Sequence, residues 1–272
     1  MVQSAPVIES FINDPTPVNA SMSKRFAETL AGRQQVCIYN RELQQQPFLH
    51  FHGKRNLGAR LLVHFYAFLF FQNAQEDLWM KRFVRDHVRY VDEMQCAAAR
   101  VVAAVREHSH QKGNQGIFDS FHIRRGDFQY KKTRLEAQEI YENSKHEIPD
   151  GTTVYVGTDE RQKSFFHDME AHWDVVYLDD FLHLVEGIDK HYYGMIDQLI
   201  ASRGRTFFGC WFSTFSGYIN RLRGYHSDKD HADGYELGVI DSYYYAPLEH
   251  KTKMRDFWPV RYIRKTPVSI FS

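Results

Sequence analysis

The chain has 272 residues, with 34 basic and 34 acidic side chains and therefore no formal net charge at pH 7. Hydrophobic residues make up 43% of it and charged residues 25%, which predicts one large or two modest packed domains rather than disorder. The charge balance argues against a nucleic-acid-binding protein, which normally carries a basic excess, so any anion site must be local.

The N-terminal part has few regular patterns. Residues 1–50 contain four prolines and a glutamine-rich stretch, which predicts loose structure with one short helix near 21–31. Residues 1–20 lack the basic and apolar segments of a signal peptide. The most apolar run, residues 61–71, is too short to cross a bilayer and is interpreted as a core segment. The sequence therefore predicts a soluble chain without a membrane span.

A long helix is predicted from residue 83 to about Glu107. Its apolar residues recur every three or four positions, which places them on one helical face: Val84, Val88, Val91, Met94, Ala98, Val101 and Val105. A Gly- and Asn-containing loop follows at 112–116.

Strands and helices then alternate. The predicted strands are 117–124, 153–158, 175–178 and 206–212, and the predicted helices are 133–146, 159–171, 189–202 and 213–222. This alternation is typical of parallel βαβ units, so residues 115–225 are interpreted as a Rossmann-like α/β half-domain. In such sheets ligands bind beyond the carboxyl ends of the strands.

The end of the first of these strands carries His122, Arg124 and Arg125. Because side chains alternate along a strand, His122 and Arg124 are expected to share a face and Arg125 to point the other way. A guanidinium suits a diphosphate because it stays charged and donates paired hydrogen bonds. An ion pair between an arginine and Asp127 is the equally weighted alternative. The tripeptide at 125–127 matches an integrin ligand, and we treat this match as coincidence.

The last strand leads into Ser213, Thr214 and Phe215 at the predicted start of a helix. Hydroxyl groups and free backbone N–H groups at a helix N-terminus can bind phosphate. Ser213 or Thr214 could equally cap the helix, and the two roles are compatible. Phe215 could belong to the core or pack on a flat base.

Two aspartates are further candidates. Asp197 lies on an otherwise apolar helix, where its carboxylate could accept the N1–H and N2–H₂ groups of guanine; the alternatives are a solvent-facing residue or a partner of Arg203. Asp159 could bind a ribose or a metal, but the cap of its helix is the favoured interpretation. The sequence contains neither a GxGxxG nor a GxxxxGK[ST] string, which argues against a dinucleotide fingerprint and a Walker-type loop.

The three cysteines, Cys37, Cys96 and Cys210, lack the spacing of a metal site. Cys96 and Cys210 are expected to be buried thiols, and one disulfide stays possible. We predict no metal site.

Four segments together carry a resemblance to a known family: residues 122–128 (HIRRGDF), 156–160 (VGTDE), 196–198 (IDQ) and 208–221 (FGCWFSTFSGYINR). Their order resembles that of GDP-fucose protein O-fucosyltransferases over about residues 80–225. The resemblance implies a GT-B fold, in which two Rossmann-like domains face a cleft and the C-terminal one holds the nucleotide sugar.

The resemblance also implies roles for single residues. Arg124 would be the catalytic arginine that grips the β-phosphate, and His122 would line the donor site beside it. Asp197 would recognise guanine, while Ser213, Thr214 and Phe215 would contact phosphate and base. The implied reaction is an inverting transfer of fucose from GDP-fucose to a protein Ser/Thr hydroxyl or a glycan, with no metal or other cofactor.

The N-terminal part departs from the family pattern. No Gly- and Asn-rich loop precedes residue 80, so residues 1–82 are interpreted as a reduced or truncated region before a linker helix and donor domain at 83–265. The alternative function is therefore a non-catalytic GDP-sugar-binding or scaffold protein, and a third is an α/β enzyme of another nucleotide sugar. The family normally works in the ER or Golgi lumen.

Overall fold

A computed structural model of the protein describes residues 2–3, 36–48, 70–71, 87, 89–127, 129–230, 241–248 and 251–254. The chain divides into two compact units, residues 1–89 and residues 90–272. The domain division at residue 82 that the sequence suggests stays a prediction. None of the helices described is both long and apolar enough to cross a membrane.

The first unit contains a three-stranded sheet. Its strands are β1 (Val2–Gln3), β2 (Val36–Tyr39) and β3 (Phe70–Phe71), with β1 antiparallel and β3 parallel to β2. Helix α1 (Arg41–Gln44) follows β2 and is capped by the Asn40 side chain, which accepts the N–H of Leu43 at 3.0 Å. The helix predicted at 21–31 lies outside the described residues, as does the apolar run 61–71 except for β3.

The second unit is built on a six-stranded sheet. Its strands are β4 (Phe118–Ile123), β5 (Thr153–Thr158), β6 (Asp174–Val176), β7 (Phe207–Gly209), β8 (Ser242–Leu248) and β9 (Lys251–Lys253). In space the order is β6-β5-β4-β7-β8-β9, with β9 antiparallel to β8 and all other pairs parallel. This order is that of nucleotide-binding α/β folds, which confirms the predicted Rossmann-like parallel sheet.

Helices cover both faces of this sheet. They are α2 (Asp92–Gln111), α3 (Ala137–Ser144), α4 (His167–Glu170), α5 (Tyr193–Ala201) and α6 (Thr214–Asp230). Helices α2, α5 and α6 pack with Tyr155 and Phe207 on one face. Helices α3 and α4 pack with Phe121 and Val156 on the other. Because both faces are covered, every residue of β4 is buried.

Helix α2 begins later than its apolar pattern predicts. It starts at Asp92 and ends at Gln111, whereas the prediction was 83 to about 107. Val91 lies at the N-cap position and is 64% exposed, so the pattern overestimated the helix at this end. Over the described helix the predicted face is confirmed, because Met94, Ala98, Val101 and Val105 are buried. Val84 and Val88 of that face lie outside the described residues.

Three of the other predicted helices are shorter than expected, partly because side chains bind the backbone groups that a helix would use. Helix α6 is instead longer than the predicted 213–222, since it continues to Asp230. Between β5 and α4, Thr158 Oγ1 accepts the N–H of Glu160, and the Glu160 carboxylate accepts the N–H of Gln162, each at 3.0 Å. Short 3₁₀ helices lie at or near the predicted starts of these three helices, at Lys131–Thr133, Lys163–Phe166 and Lys190–Tyr192. The 3₁₀ segment Leu178–Leu184 follows β6.

Of the two cysteines expected to be buried, only Cys210 is. Cys96 is exposed because it lies two residues after Met94 on α2, nearly half a turn away from the buried face. Both are free thiols, and Cys37 lies in β2.

Arg223 fixes helix α6 to the amino-terminal edge of the sheet. This buried side chain donates from Nε to the Ser242 hydroxyl at 2.9 Å and from Nη2 to the carbonyl oxygens of Arg205 and Asp241 at 2.7 and 2.9 Å. It also donates from Nη1 to the Gly204 carbonyl. Four oxygen atoms therefore accept hydrogen bonds from this buried guanidinium and stabilise its charge.

Candidate functional site

The site lies where the chain reverses direction across the sheet. From β4 the chain moves outward to β5 and β6, and then returns to β7 on the opposite side of β4. The carboxyl ends of β4 and β7 thus border the crevice in which such folds bind ligands. His122 of β4 and Ser216 of α6 meet across it, with 2.7 Å between Nδ1 and Oγ.

Ser216 is the central hydrogen-bonding residue of this crevice, and the sequence analysis assigned it no role. Its Oγ accepts the N–H of Cys210 at 2.8 Å. A β-carbon at Gly209 would lie 2.8 Å from the same Oγ, so this close approach needs glycine. Cys210 donates to Ser216 instead of extending the ladder, and β7 therefore ends at Gly209 rather than at the predicted residue 212.

The same network fixes the protonation of His122. Burial lowers the pKa of His122 to about 3, with Asp159 opposing this and Arg124 adding to it, so the ring is neutral near pH 7. We assign the Ser216 hydroxyl hydrogen to His122 Nδ1, because it has no other acceptor among the described residues. The ring proton then lies on Nε2, which has no hydrogen-bond partner among the described residues.

Phe215 stacks on the His122 ring, with 4.3 Å between the ring centroids and 24° between the planes. The Gln198 side-chain amide donates to the Phe215 carbonyl at 3.2 Å and holds this turn of α6 against α5. The ring is partly buried and packs against the core, so the structure supports the core interpretation for the face that His122 covers.

Asp197 lies on the same face of the sheet. Its Cβ would be 3.5 Å from a β-carbon at Gly157, and Gly157 is the β5 residue paired with His122 in β4. The Tyr155 hydroxyl donates to Asp197 Oδ1 at 2.5 Å. Its bonded partner is therefore Tyr155 and not Arg203, which the sequence analysis had offered as an alternative.

Burial raises the pKa of the Asp197 carboxyl to about 7. The hydrogen bond from Tyr155 opposes this rise, the charge of Asp179 adds to it, and the charge of Lys163 opposes it. A partly buried carboxyl with such a pKa is a frequent feature of functional sites, because its charge changes near neutral pH.

The two neighbouring arginines differ in how tightly they are held. Arg125 Nε lies 3.1 Å from Glu160, its Nη1 donates to the Leu135 carbonyl at 2.9 Å, and its guanidinium lies 3.7 Å from the Phe165 ring centre. Among the described residues, the Arg124 guanidinium contacts two carboxylates, Asp127 at 2.7 Å and Asp159 at 3.0 Å.

The Arg124–Asp127 ion pair, offered as an alternative from the sequence, is therefore present. Asp127 is 92% exposed, and ion pairs this exposed contribute little stability. An anionic ligand can therefore take the place of Asp127 on Arg124 at small cost.

Asp159 joins the ends of β4 and β5. Its Oδ1 accepts the N–H of Arg125 at 2.7 Å, and its Oδ2 accepts the N–H of Gly126 at 2.9 Å and lies 3.0 Å from Arg124 Nη1. A β-carbon at Gly126 would collide with Oδ2. The predicted role of Asp159 as a helix cap is wrong, because no helix begins there and the carboxylate binds the loop after β4 instead.

Ser213 occupies the cap position of α6. Its Oγ accepts the N–H of Ser216 at 3.3 Å and its carbonyl accepts the N–H of Gly217 at 3.0 Å, so its capping role is present. Thr214 is the first helical residue and is exposed.

The structure thus gathers three of the candidate residues, His122, Asp197 and Phe215, on one face of the sheet. Ser213 joins them through Ser216. Arg124 lies at the strand ends, near enough that its charge shifts the pKa of His122. The described residues contain no group of three or more side chains suited to hold a metal.

Comparison of the sequence with known proteins identifies a matching family. A family model described as GDP-fucose protein O-fucosyltransferase matches residues 1–226. Comparison with curated proteins found no match.

Proposed function

The chain belongs to the GDP-fucose protein O-fucosyltransferase family, and we propose that it transfers fucose from GDP-fucose with inversion at the anomeric carbon. The proposed acceptor is a Ser/Thr hydroxyl of a protein or a hydroxyl of a glycan. The observation that carries the proposal is the meeting of His122, Ser216, Phe215 and Asp197 at the point where the sheet reverses direction. The lumen of the ER or Golgi is the proposed location, on the strength of the family alone.

The diphosphate is proposed to bind between Arg124 and the N-terminus of α6. Of the two arginines Arg124 is the better candidate, because Arg125 is held by a carboxylate, a carbonyl and an aromatic ring. A phosphate would replace the exposed Asp127 on the Arg124 guanidinium. The backbone N–H groups that begin α6 add partial positive charge from the other side of the crevice.

These groups also suit the chemical step. As the acceptor oxygen bonds to the anomeric carbon, the bond from that carbon to the β-phosphate oxygen breaks and its electron pair leaves with GDP. Negative charge therefore grows on the phosphate, where Arg124, the α6 N–H groups and the Nε2–H of His122 can stabilise it. The proposed reaction draws this stabilisation from the chain itself, without a metal or another cofactor.

Asp197 is proposed to select the base. In its ionised form the carboxylate can accept both N1–H and N2–H₂ of guanine, whereas adenine has no such pair of donors on that edge. An unpaired, partly buried carboxylate would cost adenine nucleotides on the order of 1–3 kcal/mol. GDP should therefore outcompete ADP.

Calorimetric titration of GDP into the wild type and Arg124→Ala tests the phosphate assignment. Loss of one charge-assisted contact is worth about 1.5–3 kcal/mol, so affinity should fall roughly ten- to a hundredfold and transfer should be lost. Arg134→Ala removes an exposed arginine of the same loop and is the control for general electrostatic attraction. Unchanged GDP affinity in Arg124→Ala would remove Arg124 from the site.

Incubation of the wild type with GDP-fucose distinguishes catalysis from binding. Release of GDP supports the transferase. Tight GDP binding with no hydrolysis or transfer to any tested acceptor would instead support the alternative of a GDP-sugar-binding or scaffold protein.

A further inference from the structure

Tyr155 is fully buried, yet its hydroxyl lies within the candidate site. Tyr155 and Gly157 are two residues apart on β5 and so face the same side of the sheet. A β-carbon at Gly157 would be in ordinary contact with the Asp197 side chain, so this side chain lies directly against that position of β5. The Tyr155 hydroxyl therefore approaches Asp197 from within the core, while the crevice lies beyond Gly157 and His122.

We propose that Tyr155 is a positioning residue for base recognition: its hydroxyl binds Oδ1 of Asp197 and turns the carboxylate, in ionised form, toward the base. This inference rests on the proposed function, since it concerns the same nucleotide site. The contact of 2.5 Å is short, as expected for a hydroxyl donating to a charged oxygen.

The other groups around Asp197 do not supply this effect. Asp179 and Lys163 are the charged residues that act on the carboxyl, and they pair with each other at 3.2 Å, so their opposing effects largely cancel. His122, its neighbour across the β4–β5 pairing, is neutral. The Tyr155 hydroxyl is thus the hydrogen-bond donor that opposes the effect of burial on this carboxyl in the described part of the chain, whereas Lys163 acts through its charge and is itself paired with Asp179.

A hydroxyl donor stabilises the carboxylate more than the neutral acid. Tyr155→Phe removes only that oxygen and keeps the ring in the core, so a folded variant is expected. Without the donor, the pKa of Asp197 should rise by about one unit, which leaves about a tenth of the carboxyl ionised at pH 7 instead of half. GDP affinity at pH 7 should then fall about fivefold.

The test is the pH dependence of GDP affinity, measured by calorimetry from pH 5.5 to 9. In the wild type, affinity should fall as the pH drops through about 7, and in Tyr155→Phe the midpoint should lie about one pH unit higher. Tyr141→Phe is the matched control, because the Tyr141 hydroxyl donates to Asp150 at 3.0 Å on the opposite face of the sheet. It should leave the midpoint unchanged.

Combining Tyr155→Phe with Asp197→Asn completes a double-mutant cycle. In that background Tyr155→Phe should not change the preference for GDP over ADP any further. If Asp197→Asn abolishes the preference while Tyr155→Phe leaves the affinity and its pH midpoint unchanged, the positioning role is wrong and the proposed function stands. If the wild type does not bind GDP, the proposed function itself fails.

Discussion

The two faces of strands β4 and β5 differ sharply, although they are made by alternate residues of the same segments. One face presents Phe121, Ile123, Val154 and Val156, which pack in an apolar layer under α3 and α4. The other presents Ser120, His122, Tyr155 and Gly157, which face α5 and α6. Alternate residues of each strand thus face an apolar layer on one side and the candidate site on the other.

The polar face is buried as deeply as the apolar one, and each of its side chains has a partner. Ser120 donates to the Ala201 carbonyl at 2.7 Å, His122 pairs with Ser216 and Tyr155 binds Asp197. Buried polar groups are tolerated when such bonds are complete, and they then hold side chains in fixed positions. Both faces contribute packing, since Phe118 and Tyr155 belong to the core under α2, α5 and α6, and the polar face in addition fixes the geometry of the site.

Phe121→Ala should have the largest effect on stability of the substitutions considered, and it tests whether the two faces of β4 and β5 are independent. Phe121 is fully buried and stacks on Phe208 with 5.1 Å between ring centroids, so its truncation should cost about 3–5 kcal/mol in free energy of unfolding. Urea denaturation measures the loss. GDP affinity per folded molecule should stay within twofold of the wild type.

Phe121→Leu is the milder control for this first experiment and should lose much less stability. A large loss of GDP affinity in both variants, with the folded fraction accounted for, would mean that the two faces are not independent.

Asp197→Asn should have an intermediate effect on stability, and this effect should be stabilising rather than destabilising. The pKa of this carboxyl rises from 3.8 to about 7 on folding, so the folded state binds more protons between these values and becomes less stable as the pH rises. The amide avoids this cost and should stabilise the protein by about 1–3 kcal/mol at pH 8, with the gain shrinking as the pH falls toward 4.

Thermal denaturation of both proteins across this pH range measures the difference. A stability gain together with lost base selectivity is expected when a site residue is kept for function rather than for folding. A gain that does not depend on pH would contradict the raised pKa of Asp197.

Substitution of Ser213 should have the smallest effect, since it changes one helix cap at the border of the polar face. Ser213→Ala should cost about 1 kcal/mol of stability, whereas Ser213→Gly should cost only a few tenths. Both variants lack the hydroxyl, so GDP affinity in the glycine variant isolates any phosphate contact from capping. Chemical denaturation and calorimetry supply the two measurements.

The sequence predicted the strands better than the polar contacts between them. Strand β5 was predicted at its observed limits, because an apolar run between turn residues depends on local pattern alone. The candidate residues followed from the ends of strands and from the family resemblance. Helix limits failed where side chains of Thr158 and Glu160 bind nearby N–H groups, which periodicity does not register.

The contacts of Ser216, Tyr155 and Asp159 join segments between 34 and 94 residues apart. A serine inside a helix, a tyrosine inside a strand and an aspartate after a strand are ordinary in their local settings. Their roles follow from the pairing of strands and, for Asp159 and Ser216, from the glycines at 126 and 209 that let these two side chains approach. Local pattern contains neither kind of information.

The anchoring of Arg223 has a consequence for how a ligand would be received. Helix α6 begins at the crevice and is bonded through Arg223 to the far edge of the sheet, at Arg205 and Asp241. The helix cannot tilt or slide without breaking several hydrogen bonds to a buried cation. Its N-terminal N–H groups are therefore preorganised, and a nucleotide that binds them would spend little free energy on ordering the protein.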